Sequence, residues 1–154
     1  MNYHTPSNFL DASEIAANSA GQIRFLAGGT DVLVQMRSDI LTPDDLIDIK
    51  LIQGVKDITQ NNDGSWTLGI GVSGAEMSEH VEFKKAWPGL VEATDLIGST
   101  QIQGRATIVG NLCNGSPAAD SVPAQIAAGA TVSVIGPSGE RIEKVENIPT
   151  GPSK

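Results

Sequence analysis

The chain has 154 residues, 40% of them hydrophobic, and its 10 Lys and Arg stand against 18 Asp and Glu for a formal charge of −8. A chain of this length buries roughly 68–70% of its unfolded surface, enough for one core without staples or metals, and the acidic balance without basic clusters argues against nucleic acid and anionic membranes as partners. A single cysteine, Cys113, excludes an internal disulfide and an iron–sulfur cluster held by this chain alone. No apolar run approaches the ~18–20 residues of a membrane span, and the opening MNYHTPSNFLDASE lacks the basic and apolar regions of a signal peptide. The expectation is a cytoplasmic protein.

Seventeen glycines and eight prolines predict short, numerous elements. Residues 11–20 have Ile15, Ala16 and Ser19 at helical spacing, with Asp11 or Ser13 as the cap. After Gly21, residues 22–27 read as a short buried strand that ends at Gly28-Gly29. Residues 32–37 fit either a helix or a strand. Residues 46–49 read as a strand, and 55–59 and 65–70 as a hairpin turning at Asp63-Gly64. Ser73 with Glu76 three residues later forms a capping box that opens a helix to His80 or Phe83. A second helix is expected over 88–96, with Leu90, Ala93 and Thr94 on one face, and a third over 123–128 with Pro123 in its first turn. Residues 131–135 and 141–145 make a second hairpin around Gly136-Pro137-Ser138-Gly139. Without steady strand–helix alternation the fold class is α+β. The tail, residues 148–154, is linker-like, as in a chain cut from something longer.

Three glycine-bearing segments invite a functional reading. Gly69, Gly71 and Gly74 match G-x-G-x-x-G, but a dinucleotide fingerprint needs a second parallel strand that ends in an acidic residue, and two helices are expected there instead. A capped helix after a strand end is the better account. In Leu26-Ala27-Gly28-Gly29-Thr30-Asp31, consecutive glycines let backbone N–H groups converge on an anion. Thr30 adds a hydroxyl donor, and Asp31 is suited to cap the next turn. The segment from Ala106 to Asp120 has small polar residues between apolar ones, either a solvated loop or a surface against which an extended polar ligand lies. There Asp120 suits paired sugar hydroxyls, while Thr107, Asn111 and backbone amides suit phosphate oxygens.

Together the segments FLAGGTD, from Phe25, and ATIVGNLCNGSPAAD, from Ala106, resemble the two flavin loops of the FAD-binding medium subunit of the molybdenum hydroxylases, the group of xanthine dehydrogenase and carbon monoxide dehydrogenase. Tyr3, Pro6, Asp45 to Ile49, Leu68 to Gly71 and Gly129 to Ile135 extend the resemblance over nearly the whole chain. It implies the two-subdomain α+β FAD-binding fold of the vanillyl-alcohol-oxidase type, with mixed and antiparallel sheets and flanking helices, divided as a small subdomain at 1–52 and a larger one at 53–147. By the same resemblance Phe25, Leu26, Ala27, Gly28, Gly29, Thr30, Asp31 and Val32 bind the pyrophosphate. Thr107, Ile108, Val109, Gly110 and Asn111 add phosphate and flavin contacts, Asp120 holds sugar or ribityl hydroxyls, and Ile97 is an apolar neighbour. No residue is implied as a catalytic acid or base. The implied partners are an iron–sulfur small subunit and a molybdenum-cofactor large subunit, with electrons passing through FAD to NAD, a quinone or oxygen.

Three departures stand out. Val109 replaces the first glycine of a Gly-Gly pair, and Gln103-Gly104 replaces Arg-Asn, removing an anchoring charge. The third is length, since the family subunit continues into a further domain beside the flavin ring; ring contacts are therefore expected to be incomplete. A noncatalytic assembly piece without flavin, and a nicotinamide-binding domain built on Gly69 to Gly74, are the competing readings. His4 and His80 are read as surface or capping residues, Cys113 as a small buried packing residue or flavin neighbour rather than a nucleophile, and Trp66 and Trp87 as core or interface anchors. Asp44, Asp45 and Asp48 are read as a solvated strand edge.

Overall fold

The computed structural model describes residues 1–149 and Gly151; of the linker-like tail, Thr150, Pro152, Ser153 and Lys154 lie outside the described residues. The chain begins β1 (Asn2–His4), α1 (Phe9–Asn18), β2 (Ile23–Leu26), α2 (Val32–Arg37) and β3 (Asp45–Asp48). These strands form one sheet in the order β1-β3-β2, every pair parallel. The missed alternation has a simple cause, because β1 is three residues long and too short to show a period. Central β3 is flanked on both sides, and Leu46, Ile47 and Asp48 are all buried, as parallel strands usually are. Ala12 from α1 packs with Ile47, Ile49, Ile52 and Val55, and Ala27 and Ile70 pack on this cluster. The cap of α1 is Asn8, not Asp11 or Ser13: its Oδ1 accepts from Asp11 N at 2.8 Å, which starts the helix two residues earlier.

The hairpin is β4 (Ile58–Gln60) with β5 (Trp66–Leu68), antiparallel. Six helices follow: α3 (Gly74–Glu79), α4 (Val81–Ala86), α5 (Pro88–Asp95), α6 (Thr100–Gln103), α7 (Ile108–Asn114) and α8 (Ser121–Ala127). The second hairpin, β6 (Thr131–Gly136) and β7 (Gly139–Lys144), leads into a 3₁₀ turn at Val145–Asn147. The capping box is formed in full, with Ser73 Oγ accepting from Glu76 N and the Glu76 carboxylate accepting from Ser73 N. Val72, Met77, Phe83, Val91 and Ile108 make a second apolar cluster, on which Trp66 and Trp87 pack as anchors. His80 caps α4 by accepting from Phe83 N through Nδ1. The buried face of α5 is centred on Val91 and Thr94 rather than Leu90, Ala93 and Thr94.

The acidic residues of β3 are not a solvated edge. Asp48 is 5% exposed; burial pushes its pKa up, but Lys50 and Tyr3 hydrogen-bond the carboxylate and bring the net shift below the usual value. Asp45 accepts from His4 Nε2 at 2.8 Å, Ser19 Oγ at 2.6 Å and Asn2 Nδ2 at 2.9 Å, joining β1, β3 and the end of α1. Those three bonds, from His4 foremost, hold its carboxyl far below the ordinary carboxylate range. A lowered folded-state pKa adds stability that is complete above the unfolded value near pH ~4 and is lost as the pH falls below it. Asp45→Asn should therefore lower the thermal midpoint at pH 7 and make stability less sensitive to acid between pH 5 and pH 2, a difference read from melting curves of both proteins.

Candidate functional site

The first glycine loop leaves the carboxyl end of β2, where the buried Leu26 side chain anchors it. Gly29 has φ +82°, a conformation glycine adopts without penalty, and its carbonyl accepts from Leu33 N at 3.2 Å to begin α2. Asp31 stands at the cap position as expected, but its side chain makes no cap hydrogen bond; its carbonyl instead accepts from Gln35 N at 2.9 Å. The amides of Gly28, Gly29, Thr30 and Asp31 donate to no acceptor among the described residues. Nor does the Thr30 hydroxyl, on a residue that is half-buried. Backbone donors without protein partners, gathered on a turn, are what an anion requires.

The second segment is not a loop. Residues Ile108–Asn114 form α7, with Thr107 as N-cap and Gly115 at φ 61° as its stop. The signal was present: a cap threonine, Ile108 and Leu112 four apart, and a terminal glycine. Thr107 is 4% exposed and its Oγ1 accepts from Gly110 N at 2.9 Å, so its oxygen caps the helix. Ile108 is buried in the second core cluster and the half-buried Val109 packs on it, while their amides donate to no acceptor among the described residues. Val109 lies within the helix and is not among the residues with positive φ, so the branched side chain meets no backbone obstacle there. Asn111 Oδ1 accepts from Ser121 Oγ at 2.7 Å and steadies the start of α8, directly beside the exposed Asp120.

The two segments touch. A Cβ on Gly28 would sit 2.0 Å from the Arg105 carbonyl oxygen, and Arg105 Nε donates to the Gly28 carbonyl at 3.0 Å across 77 positions of sequence. Gln35 Nε2 on α2 reaches Asn114 Oδ1 on α7 at 3.4 Å, a second bridge. The structure thus brings Gly28, the first residue of the glycine turn, against Arg105 and Ala106, just ahead of α7. The Ile97 amide donates to Thr94 O at the end of α5, and among the described residues no hydrogen bond ties it to either segment. Sequence reasoning missed Arg105, whose role depends on a fold-level contact. Cys113 is exposed on α7 rather than buried, and desolvation by neighbouring groups raises its thiol pKa, in the direction away from the thiolate.

Gly69, Gly71 and Gly74 have packing duties. Gly69 N and Gly71 N donate to Asp57 O and Val55 O, and a Cβ on Gly69 would meet Val55 O at 2.3 Å. The hairpin before them is antiparallel and helices α3 and α4 follow, so the parallel strand a dinucleotide fingerprint needs is not there. Two shallow clefts, one bordered by Lys56, Glu76 and His80 and the other by His4, Glu14 and Asp45, include no residue of the glycine loop.

A family model for the FAD binding domain in molybdopterin dehydrogenase matches residues 1–154. The chain belongs to that family, whose cofactor is FAD. It is 32% identical over 152 residues to the xanthine dehydrogenase FAD-binding subunit of Escherichia coli O157:H7, covering 99% of this chain and 52% of that relative. It is 31% identical over 141 residues to the carbon monoxide dehydrogenase medium chain of Hydrogenophaga pseudoflava, covering 90% and 48%. In the solved carbon monoxide dehydrogenase of that organism, a chain matches with TM-score 0.90 at 26% identity, over 100% of this chain and 53% of the other. The chain spans about half the length of the relatives it matches. Its α+β architecture is that of the family. The residues present fit the cofactor, because the partnerless amides at Gly28 to Asp31 supply donors of the kind a diphosphate accepts.

The contact at Gly28 makes a stability prediction. Gly28→Ala forces a methyl group onto a backbone oxygen that cannot move aside, at a cost of about 1–3 kcal/mol or more. Gly71→Ala, whose Cβ would stand 3.0 Å from Val55 O, should cost less. Denaturant unfolding of the two variants beside the parent checks the order.

Proposed function

We propose that this chain is the flavin-holding, electron-transferring part of a molybdenum-hydroxylase-type complex, in which FAD lies across the shelf formed by the Gly28 loop and α7. The single observation that carries it is the meeting of Gly28 with Arg105 and Ala106, which sets two segments far apart in sequence along one face. When bound, FAD supplies reversible electron uptake and release. The chain's own residues bind and orient: the Gly28, Gly29, Thr30 and Asp31 amides and the Thr30 hydroxyl hold the diphosphate, and the Ile108 and Val109 amides add donors. Asp120 accepts from sugar or ribityl hydroxyls, and Ile97 offers an apolar face further along. The flavin would then lie between a small unit of residues 1–52 and a larger one of residues 53–147.

In this proposal electrons arrive from an iron–sulfur partner beside a molybdenum-cofactor subunit and leave to NAD, a quinone or oxygen, in a reducing, cytoplasmic setting. The carbon monoxide and xanthine dehydrogenase names of the relatives support that assignment. Among the described residues, no helix is long and apolar enough to cross a membrane.

The deciding measurement is the visible spectrum of the purified chain, followed by titration of flavin-free protein with FAD and with FMN. Flavin bands, and tighter binding of FAD than of FMN, are expected; equal retention of the two would count against a diphosphate site. Thr30→Val removes one unpartnered hydroxyl at nearly constant shape, so FAD affinity should fall several-fold with the melting temperature unchanged. A chain that takes up no flavin but still co-purifies with iron–sulfur and molybdenum subunits would instead support the noncatalytic assembly role.

A further inference from the structure

We propose that Arg105 is a clamp that ties the two segments together and presents its terminal guanidinium nitrogens to the diphosphate of the ligand, supplying the positive charge that Gln103 lacks. Its Nε is committed to the Gly28 carbonyl at 3.0 Å, and its own carbonyl lies beneath Gly28, so backbone and side chain both hold the same turn. Among the described residues, no carboxylate lies within ion-pair distance of this side chain, although acidic residues outnumber basic ones by 18 to 10. The four partnerless amides of Gly28, Gly29, Thr30 and Asp31 stand on the turn that the guanidinium grips. An exposed arginine without an acid, fixed at one nitrogen beside a turn of free donors, has the form of an anion receptor. Gln103 cannot do this work: its Nε2 donates to Asp95 O at 2.6 Å, on α5.

The inference rests on the flavin reading, and the test separates the two. The full chain and its Arg105→Met and Arg105→Lys variants are titrated with FAD, with ADP and with riboflavin, which lacks phosphate, at low and high salt. Arg105→Met keeps an apolar stem of similar length and should weaken FAD and ADP binding about tenfold to a hundredfold, leave riboflavin unchanged, and lose much of that difference in high salt. Arg105→Lys restores part of the affinity, because the charge remains while the fork that serves Gly28 and the anion together is gone. Unchanged FAD and ADP binding in Arg105→Met overturns the clamp and leaves the flavin reading standing. Equal weakening of FAD and riboflavin shows a merely structural role and overturns it too, as does a Lys variant no better than Met. If the parent ignores FAD but takes ADP in an Arg105-dependent way, the clamp stands and the flavin reading falls; if it binds none of the three, both fall.

Discussion

At Gly28 the chain brings a turn so close to the backbone of Arg105 that no side chain fits between them, and the arrangement of both glycine-bearing segments follows from that approach. A hydrogen bond from Arg105 Nε returns to the same glycine, so the contact is held from above and below. Steric exclusion fixes the residue type and the hydrogen bond fixes the register. Without both, the carboxyl end of β2 and the start of α7 would be separate surface features with no shared chemistry.

The strand end and the helix start are each braced from behind. Ile49 N donates to Leu26 O at the sheet's edge, while Gly74 N donates to Ala106 O and an isolated bridge joins Ser73 to Thr107. Glu76 therefore acts at a distance from the shelf: by capping Ser73 it steadies the residue paired with Thr107, and Lys56 Nζ approaches it at 3.0 Å. Two side chains of the second segment are engaged, whereas the Gly28 to Asp31 amides and the Thr30 hydroxyl donate to no acceptor among the described residues. Thr107 serves its own helix and Asn111 serves Ser121.

Much of this was legible in the residues and some was not. Asp63-Gly64 and the Ser73–Glu76 pair announce their turn and cap because the chemistry is local. The dismissal of Gly69 to Gly74 as a dinucleotide site also rested on local order, and the antiparallel hairpin agrees. Helix α7 was hidden by its glycines and asparagines, which lower helix propensity although Thr107 and Gly115 mark both ends. β1 was too short for any period, and its partner β3 lies more than forty residues later. Asp45 and Asp48 looked like surface acids because the groups that satisfy them, His4, Ser19, Tyr3 and Lys50, are assembled mostly by the sheet. Arg105 was silent for the same reason: nothing in its neighbours along the chain points to Gly28.

The order β1-β3-β2 also governs how the protein is made. Among the described residues the first two strands do not pair with each other; each pairs with β3, the last of the three to leave the ribosome. At roughly 5–20 residues per second, β1 and β2 wait some seconds with unpaired strand edges before Asp45–Asp48 is synthesised. Neither ladder, nor the bonds from His4, Asn2 and Ser19 to the Asp45 carboxylate, can form before β3 is present. Until then Leu26 has no partner strand, and the turn that follows it has no fixed place to stand. The glycine loop is thus among the early residues to be synthesised but late to be set, since it also waits for Arg105 to be added to the chain.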